Sequence, residues 1–273
     1  MQTIEKQTTT LYCFDHLSVQ PGLRHYISTR QGGSSEGNFS GLNLGFHVGD
    51  DNFKVLQNRR LLAEATGINL FNFTFANQEH TANIAIVDSR MRGRGACERE
   101  TAIPNTDGMI TNVEQICLSV QVADCVPILL YDPVERVIAA LHAGWKGTLK
   151  RIASHAVEMM IQHYGCRAEN ILAGLGPSNG PCCYEVGEDV KRETLTAFGN
   201  LHGVIKPTEK PGKYIFDQWE ANRMQLLDFG LKPQHIEHSG LCSQCHHQTF
   251  FSSRAHQGIT GRVAAGIMLS KRV

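Results

Sequence analysis

The chain has 273 residues, 41% of them hydrophobic, with Lys+Arg and Asp+Glu balanced at 26 each. That length allows one large domain or two small ones with a sizeable core. A net charge of zero gives no global field to draw nucleic acid or an anionic membrane, so any anion site must be local and the expected partner is a small molecule.

The opening "MQTIEKQTTTLYCFDH" has no apolar signal-like core, and runs such as "VPILLY" are too short to span a bilayer, so a cytoplasmic protein is expected. Nine irregularly spaced cysteines read as reduced thiols rather than a disulfide framework. "NFKVLQNRRLLAEATG" (52–67) groups Val55, Leu56, Leu61, Leu62 and Ala65 near one face and stops on Gly67, which predicts a helix. "FTFA" and "IAIVD" read as strands flanking "NQEH". The segment 89–106, with Arg90, Arg92, Arg94 and Arg99 and no periodicity, reads as a long loop of the lid or binding kind.

"QICLSVQVA", "VPILLYD" and "RVIAALH" are three β-rich runs. "GTLKRIASHAVEMMIQHYG" then repeats apolar residues at helical spacing and predicts one amphipathic helix. "NILAGLGP" reads as a strand into a glycine turn, "GEDVKRETLTAFG" and "FDQWEANRMQLLDFG" as helices with glycine stops, and "TGRVAAGIMLSK" as a last helix. The interleaving suggests α/β or α+β layers. With no repeat and no linker-like stretch beyond the arginine loop, a single domain over 1–273 is the simplest organisation.

Cys125 and His142 stand at the seams of the strand-like runs, a placement that suits either a thiolate nucleophile with its base or two ligands of one metal. His80 sits in the polar break "NQEH" and adds a third donor. Two histidines and a cysteine suit Zn²⁺ with an open fourth position. Gly144 and Gly147, with a helix beginning near Thr148, read either as an anion seat facing His142 and Lys146 or as a plain strand-to-helix turn. Arg30, Lys146, Arg254 and Arg262 recur at glycine-flanked or polar turns and form a candidate phosphate or carboxylate clamp, and Asn43 of "GLNLG" reads first as a turn asparagine and otherwise as a neutral contact to it. "CSQCHH" (Cys242, Cys245, His246, His247) holds a local ligand pair, but "PCCYE" lacks the usual spacing of a second pair, so a turn with surface histidines is expected there.

The ordered motifs "STRQGG", "GLNLG", "NQEH", "TDGMIT", "VADCVPILLYD", "ALHAGWKGT", "GLGPSNGPCCYEVG" and "FFSSR…TGR" resemble the laccase-domain family of the YfiH/YlmD type, from about residue 25 to the C-terminus. That family was first labelled polyphenol oxidase and is associated with purine nucleoside phosphorylase activity. The resemblance implies a zinc site at His80, Cys125 and His142, with the same residues catalytic. It implies phosphorolysis of adenosine, inosine, guanosine and methylthioadenosine, together with adenosine deamination. It also implies an α+β fold of layered sheets sandwiched by helices, similar to toxin-type cysteine hydrolases. Arg30, Asn43, Lys146 and Arg254 are then the candidate substrate and phosphate contacts, and Asp107, Glu79 and Asp124 the carboxylates available to move protons or orient ligands. The rival readings are a Cys–His hydrolase, a phenol oxidase using copper at the same donors, and a zinc-dependent scaffold. "CSQCHH" is richer in Cys and His than the resemblance implies, which leaves an additional metal open.

Overall fold

Val126–Asp132 and Val137–Ala143 are buried at every position, and the register explains why neither shows alternation. Val126, Ile128 and Leu130, with Val137, Ala139 and Leu141, pack against the helix Ile152–Tyr164. The intervening Leu129, Tyr131, Ile138 and Ala140 meet a second layer of strands. A strand apolar on both faces belongs at the centre of a covered sheet.

The computed structural model describes residues 1–6, 8–199 and 203–271. Two six-stranded mixed sheets stack face to face. One runs Gln2–Lys6, Thr9–Cys13, Leu23–Ser28, Val263–Leu269, Cys117–Val122, Phe73–Phe75. The other runs Ile236–His238, Leu172–Leu175, Val126–Asp132, Val137–Ala143, Gly108–Thr111, Ile84–Ile86. Ile27, Leu118, Val120, Ala265 and Ile267 from the first interlock with Met109, Leu129, Tyr131, Ile138 and Ala140 from the second. The outer face of the first sheet is covered by the helix Asn52–Thr66 through Leu62, and that of the second by Ile152–Tyr164 and Gln218–Asp228. The result is an α+β stack of helix, sheet, sheet and helix. A small sheet of Glu185–Val186, Tyr214–Phe216 and Ile205–Pro207 packs beside it with the helix Glu188–Phe198.

The helix Asn52–Thr66 forms as its sequence predicts, with Asp51 accepting the Phe53 N–H at its start and Gly67 in the left-handed region at its end. Two expectations are corrected. The run read as a last helix is the strand Val263–Leu269, fully buried at the centre of its sheet, where small and aliphatic residues fit both faces. The helix read across 147–165 is two helices, Trp145–Leu149 and Ile152–Tyr164, because Arg151 adopts a left-handed backbone (φ 62°) and breaks the ladder.

Candidate active site

Strand register assembles the site. Antiparallel pairing of Gly108 with Leu141, and of Val126 with Ala143, carries Asp107, Cys125 and His142 to one end of the second sheet. Parallel pairing of Ile84 with Gly108 brings the turn before Ile84, with His80, beside Asp107. The ligand atoms of His80, Cys125 and His142 lie within 4.8 Å of one another. Cys125 Sγ is 3.8 Å from His80 Nε2, close to the roughly 3.6 Å that separates sulfur and nitrogen donors on a tetrahedral zinc. The two imidazoles meet edge to face with centroids 4.8 Å apart. Gly144 lines the same spot: a Cβ there would fall 2.9 Å from His80 Cδ2 and 3.0 Å from Cys125 Sγ.

Asp107 organises both histidines. Its carboxylate accepts the backbone N–H groups of Glu79 (3.2 Å), His80 (3.1 Å) and Thr81 (2.7 Å), the Thr81 hydroxyl (2.7 Å), and Nδ1–H of His142 (2.7 Å). His80 is held at φ 58°, a conformation costing a non-glycine residue about 1–3 kcal/mol, and the three N–H groups converging on Asp107 fix it there. Gln78 braces the same turn, its amide exchanging hydrogen bonds with the backbone of Gln121 at 2.7 and 2.8 Å. With Nδ1 of His142 committed to Asp107, Nε2 is left for the ligand position, the usual arrangement behind a metal-binding imidazole.

The charges of these groups are coupled. Burial works against ionisation of Cys125, but the charge and hydrogen bond of His142, then those of His80, lower its thiol from 9.0 to about 6. Burial likewise opposes the His142 imidazolium, yet Cys125 and Asp107 raise it from 6.5 to about 9. Asp107, also buried, is held down at about 2 by His142 and Thr81. Without a metal, the pair rests as thiolate and imidazolium.

Cys125 and His80 open onto a cleft of about 310 Å³ whose walls include Asn179, Tyr184, Gln218 and Arg254. That volume matches a small-molecule site. Asp124, also in left-handed backbone (φ 86°), ties the walls together. Its carboxylate accepts the Ser243 hydroxyl and the Arg254 N–H, each at 2.6 Å, and its carbonyl accepts the Asn179 N–H and the Gln218 amide. Of the candidate anion contacts, Arg254 alone lines this cleft, its guanidinium 5.3 Å from the Tyr184 ring centroid.

The others stand elsewhere. Arg30 donates to the carbonyls of His247 and Ser40 and lies over Phe251. Asn43 is buried between Asp50, Gly45 and the Arg262 N–H, and Arg262 itself turns back to the carbonyls of Thr260 and Gly261. Lys146 lines a separate cavity with Leu149 and Arg192. Of the two readings of the Gly144–Thr148 turn, an anion seat at Thr148 does not form, because the helix starts earlier, at Trp145, and the Thr148 N–H already bonds the Gly144 carbonyl. Asn179, Tyr184 and Gln218 were not legible as site residues. Polar and aromatic residues in turns and helix starts carry no spacing signal, and only the fold brings them to Cys125.

Residues 24–270 match the family described as multi-copper polyphenol oxidoreductase laccase. The chain belongs to this laccase family. One relative, purine nucleoside phosphorylase YlmD of Geobacillus stearothermophilus, is 39% identical over 88% of this chain and 88% of its own length. Another, adenosine deaminase RL5 from an unknown prokaryotic organism, is 36% identical over 90% of this chain and 94% of its own. Among solved structures, YfiH of Bacillus licheniformis superposes with a TM-score of 0.91 at 34% identity, covering 97% of this chain and 98% of that one.

The copper in the laccase family's description can be set against the donors. The site offers one thiolate and two imidazoles, a set that fits a single zinc or copper ion. Among the described residues, the other group of metal-ligand side chains is four cysteines without a histidine, which does not fit the histidine-rich clusters of a multicopper oxidase.

Proposed function

We propose that this protein is a zinc-dependent purine nucleoside phosphorylase that also deaminates adenosine, acting as a single domain in the cytoplasm on adenosine, inosine, guanosine and methylthioadenosine. The observation that carries the reading is the convergence of His80, Cys125 and His142, of which His80 and Cys125 open onto a cleft with Arg254 at its wall. Relatives bearing both activity names, at over a third identity across most of the chain, support it. No described helix is long and apolar enough to cross a membrane.

A zinc ion at these donors, when bound, supplies Lewis acidity and a water whose pKa is lowered to about 7. The protein's own groups do the rest. Arg254 presents a fixed positive charge to phosphate, its backbone anchored by Asp124. Asn179 and Gln218 offer polar contacts, and Tyr184 an aromatic face, to the nucleoside. Hydrogen phosphate attacks the ribose C1′ through an oxygen, the C1′–N9 bond breaks, and the proton that the phosphate gives up ends on the departing base, giving free purine and ribose 1-phosphate. Asp107 stays ionised and holds His142 in one tautomer throughout.

A Cys–His hydrolase is the second reading, favoured by the thiolate–imidazolium pair. It gives His80, at 3.8 Å from Cys125, no task. Adenosine incubated with purified enzyme separates the readings: base release should require inorganic phosphate and yield ribose 1-phosphate. Release of free ribose at the same rate without phosphate would refute the phosphorylase reading. Full activity in metal-free enzyme would instead make Cys125 the nucleophile.

A further inference from the structure

The strands Leu172–Leu175 and Ile236–His238 lie side by side and parallel, and both leave the sheet at the same edge. Pairing continues past their ends, where Ser178 bridges Cys242 and the Ser178 carbonyl accepts the Ser243 N–H at 2.9 Å. Each strand therefore delivers a cysteine pair to one place, Cys182 and Cys183 from the first loop and Cys242 and Cys245 from the second. Their four sulfur atoms lie within 4.8 Å of one another, with Cys182–Cys245 at 3.6 Å and Cys183–Cys245 at 3.4 Å. The expectation that "PCCYE" cannot supply the second pair is thereby corrected, since the pairing is made by neighbouring parallel strands and not by local spacing.

We propose that Cys182, Cys183, Cys242 and Cys245 bind one zinc ion as a closed tetrathiolate, separate from the His80–Cys125–His142 centre, and that this ion fastens two walls of the cleft to each other. A tetrahedral zinc with sulfur at about 2.3 Å sets its ligands roughly 3.8 Å apart, and these sulfurs need only small adjustments to reach that. The cluster also has the surroundings of a metal knuckle. Cys242 Sγ accepts the Gly180 N–H at 3.3 Å and a further backbone N–H from Cys245, and such donors stabilise a thiolate. His246 turns its Nδ1 back to the Cys242 carbonyl, and His247 its Nδ1 to the Gln244 carbonyl, so the adjoining histidines leave the position to sulfur. Gly180 has no room for a side chain, a Cβ falling 2.5 Å from Trp219 of the helix Gln218–Asp228 and 3.2 Å from Cys242 Cβ, so the first loop is pressed against that helix and the second loop. The first loop carries Asn179 and Tyr184 to the cleft, and the second runs on to Arg254. A closed four-sulfur site leaves no position for water or substrate, so the ion is structural.

The test counts metal rather than turnover, so its failure is distinguishable from failure of the phosphorylase reading. Protein purified in reductant without added metal should hold about two zinc per chain. Cys182→Ser/Cys245→Ser should hold one fewer while keeping the ion lost in His142→Ala. A second arm avoids disturbing the cluster: cobalt added to metal-free Cys125→Ser protein should give sulfur-to-cobalt charge-transfer absorption, because the other centre then has no thiolate. Alkylation of the exposed Cys182 and Cys245 should be slow with zinc and fast after chelation. Unchanged zinc content in the double serine variant, or cobalt binding to Cys125→Ser without charge transfer, would overturn the proposal.

Discussion

Replacing Asp107 with asparagine removes one oxygen's worth of charge from the point on which both histidines depend. One carboxylate oxygen accepts from the backbone of Glu79 and Thr81 and from the Thr81 hydroxyl, and the other from the His80 backbone and His142 Nδ1. Whichever way the amide sits, its NH₂ must face N–H donors. The carboxyl's fall from 3.8 to about 2 is nearly two pH units, worth about 2.5 kcal/mol at 1.36 kcal/mol per unit. Because the folded value is the depressed one, that stability is present above pH 3.8 and is lost as the pH falls through about 2. Metal-free Asp107→Asn should therefore lose about 2–3 kcal/mol in urea denaturation at pH 7, with the gap to the parent narrowing below pH 4. Zinc affinity, measured against a competing chelator, should drop by about 10–100-fold, as when other groups that orient a metal-bound histidine are removed. An unchanged urea midpoint together with unchanged zinc affinity would refute the claim that Asp107 organises the site.

Gly144→Ala should keep the fold, since φ −71° suits alanine, yet lower zinc content, because its Cβ would crowd His80 and Cys125; metal analysis beside a melting curve separates the two effects. Arg254→Ala should raise the KM for phosphate by roughly 10–150-fold, equivalent to about 1.5–3 kcal/mol, with a smaller change for nucleoside. Arg30→Ala should instead lower thermal stability and leave the phosphate KM alone, since its guanidinium bonds the carbonyls of His247 and Ser40 away from the cleft that Arg254 lines. In metal-free protein, alkylation of Cys125 should be half-maximal near pH 6, and His142→Ala should move that midpoint up towards 9, as followed by mass spectrometry across a pH series.

What the sequence disclosed followed from local chemistry. The helix Asn52–Thr66 carries its own start and stop in Asp51 and Gly67, and His80, Cys125 and His142 stand in distinctive motifs at strand ends. The rest depended on partners remote in the chain. Val263–Leu269 is covered on both faces, so "VAAGIML" lacks the alternation that marks a strand, and its small residues suit a helix as well. Arg151 breaks a helical pattern with neither glycine nor proline to announce it. The four-cysteine cluster was hidden for a different reason: no linear spacing encodes that Leu172–Leu175 and Ile236–His238 are neighbours.

The position of Val263–Leu269 also has a consequence for biosynthesis. It is inserted between Leu23–Ser28 and Cys117–Val122, so neither of those strands can find its full set of backbone partners until residue 269 has left the ribosome. The second sheet draws all six of its strands from residues 84 to 238, so it can close earlier and bring Asp107, Cys125 and His142 together on a half-built molecule. In that interval Leu129, Tyr131, Ile138 and Ala140 lack the cover of Ala265, Ile267 and Leu269, and the facing edges of Leu23–Ser28 and Cys117–Val122 stand unpaired. Nascent chains stalled shortly before residue 263 should be the aggregation-prone ones, held soluble by chaperones until the last strand slides into its slot.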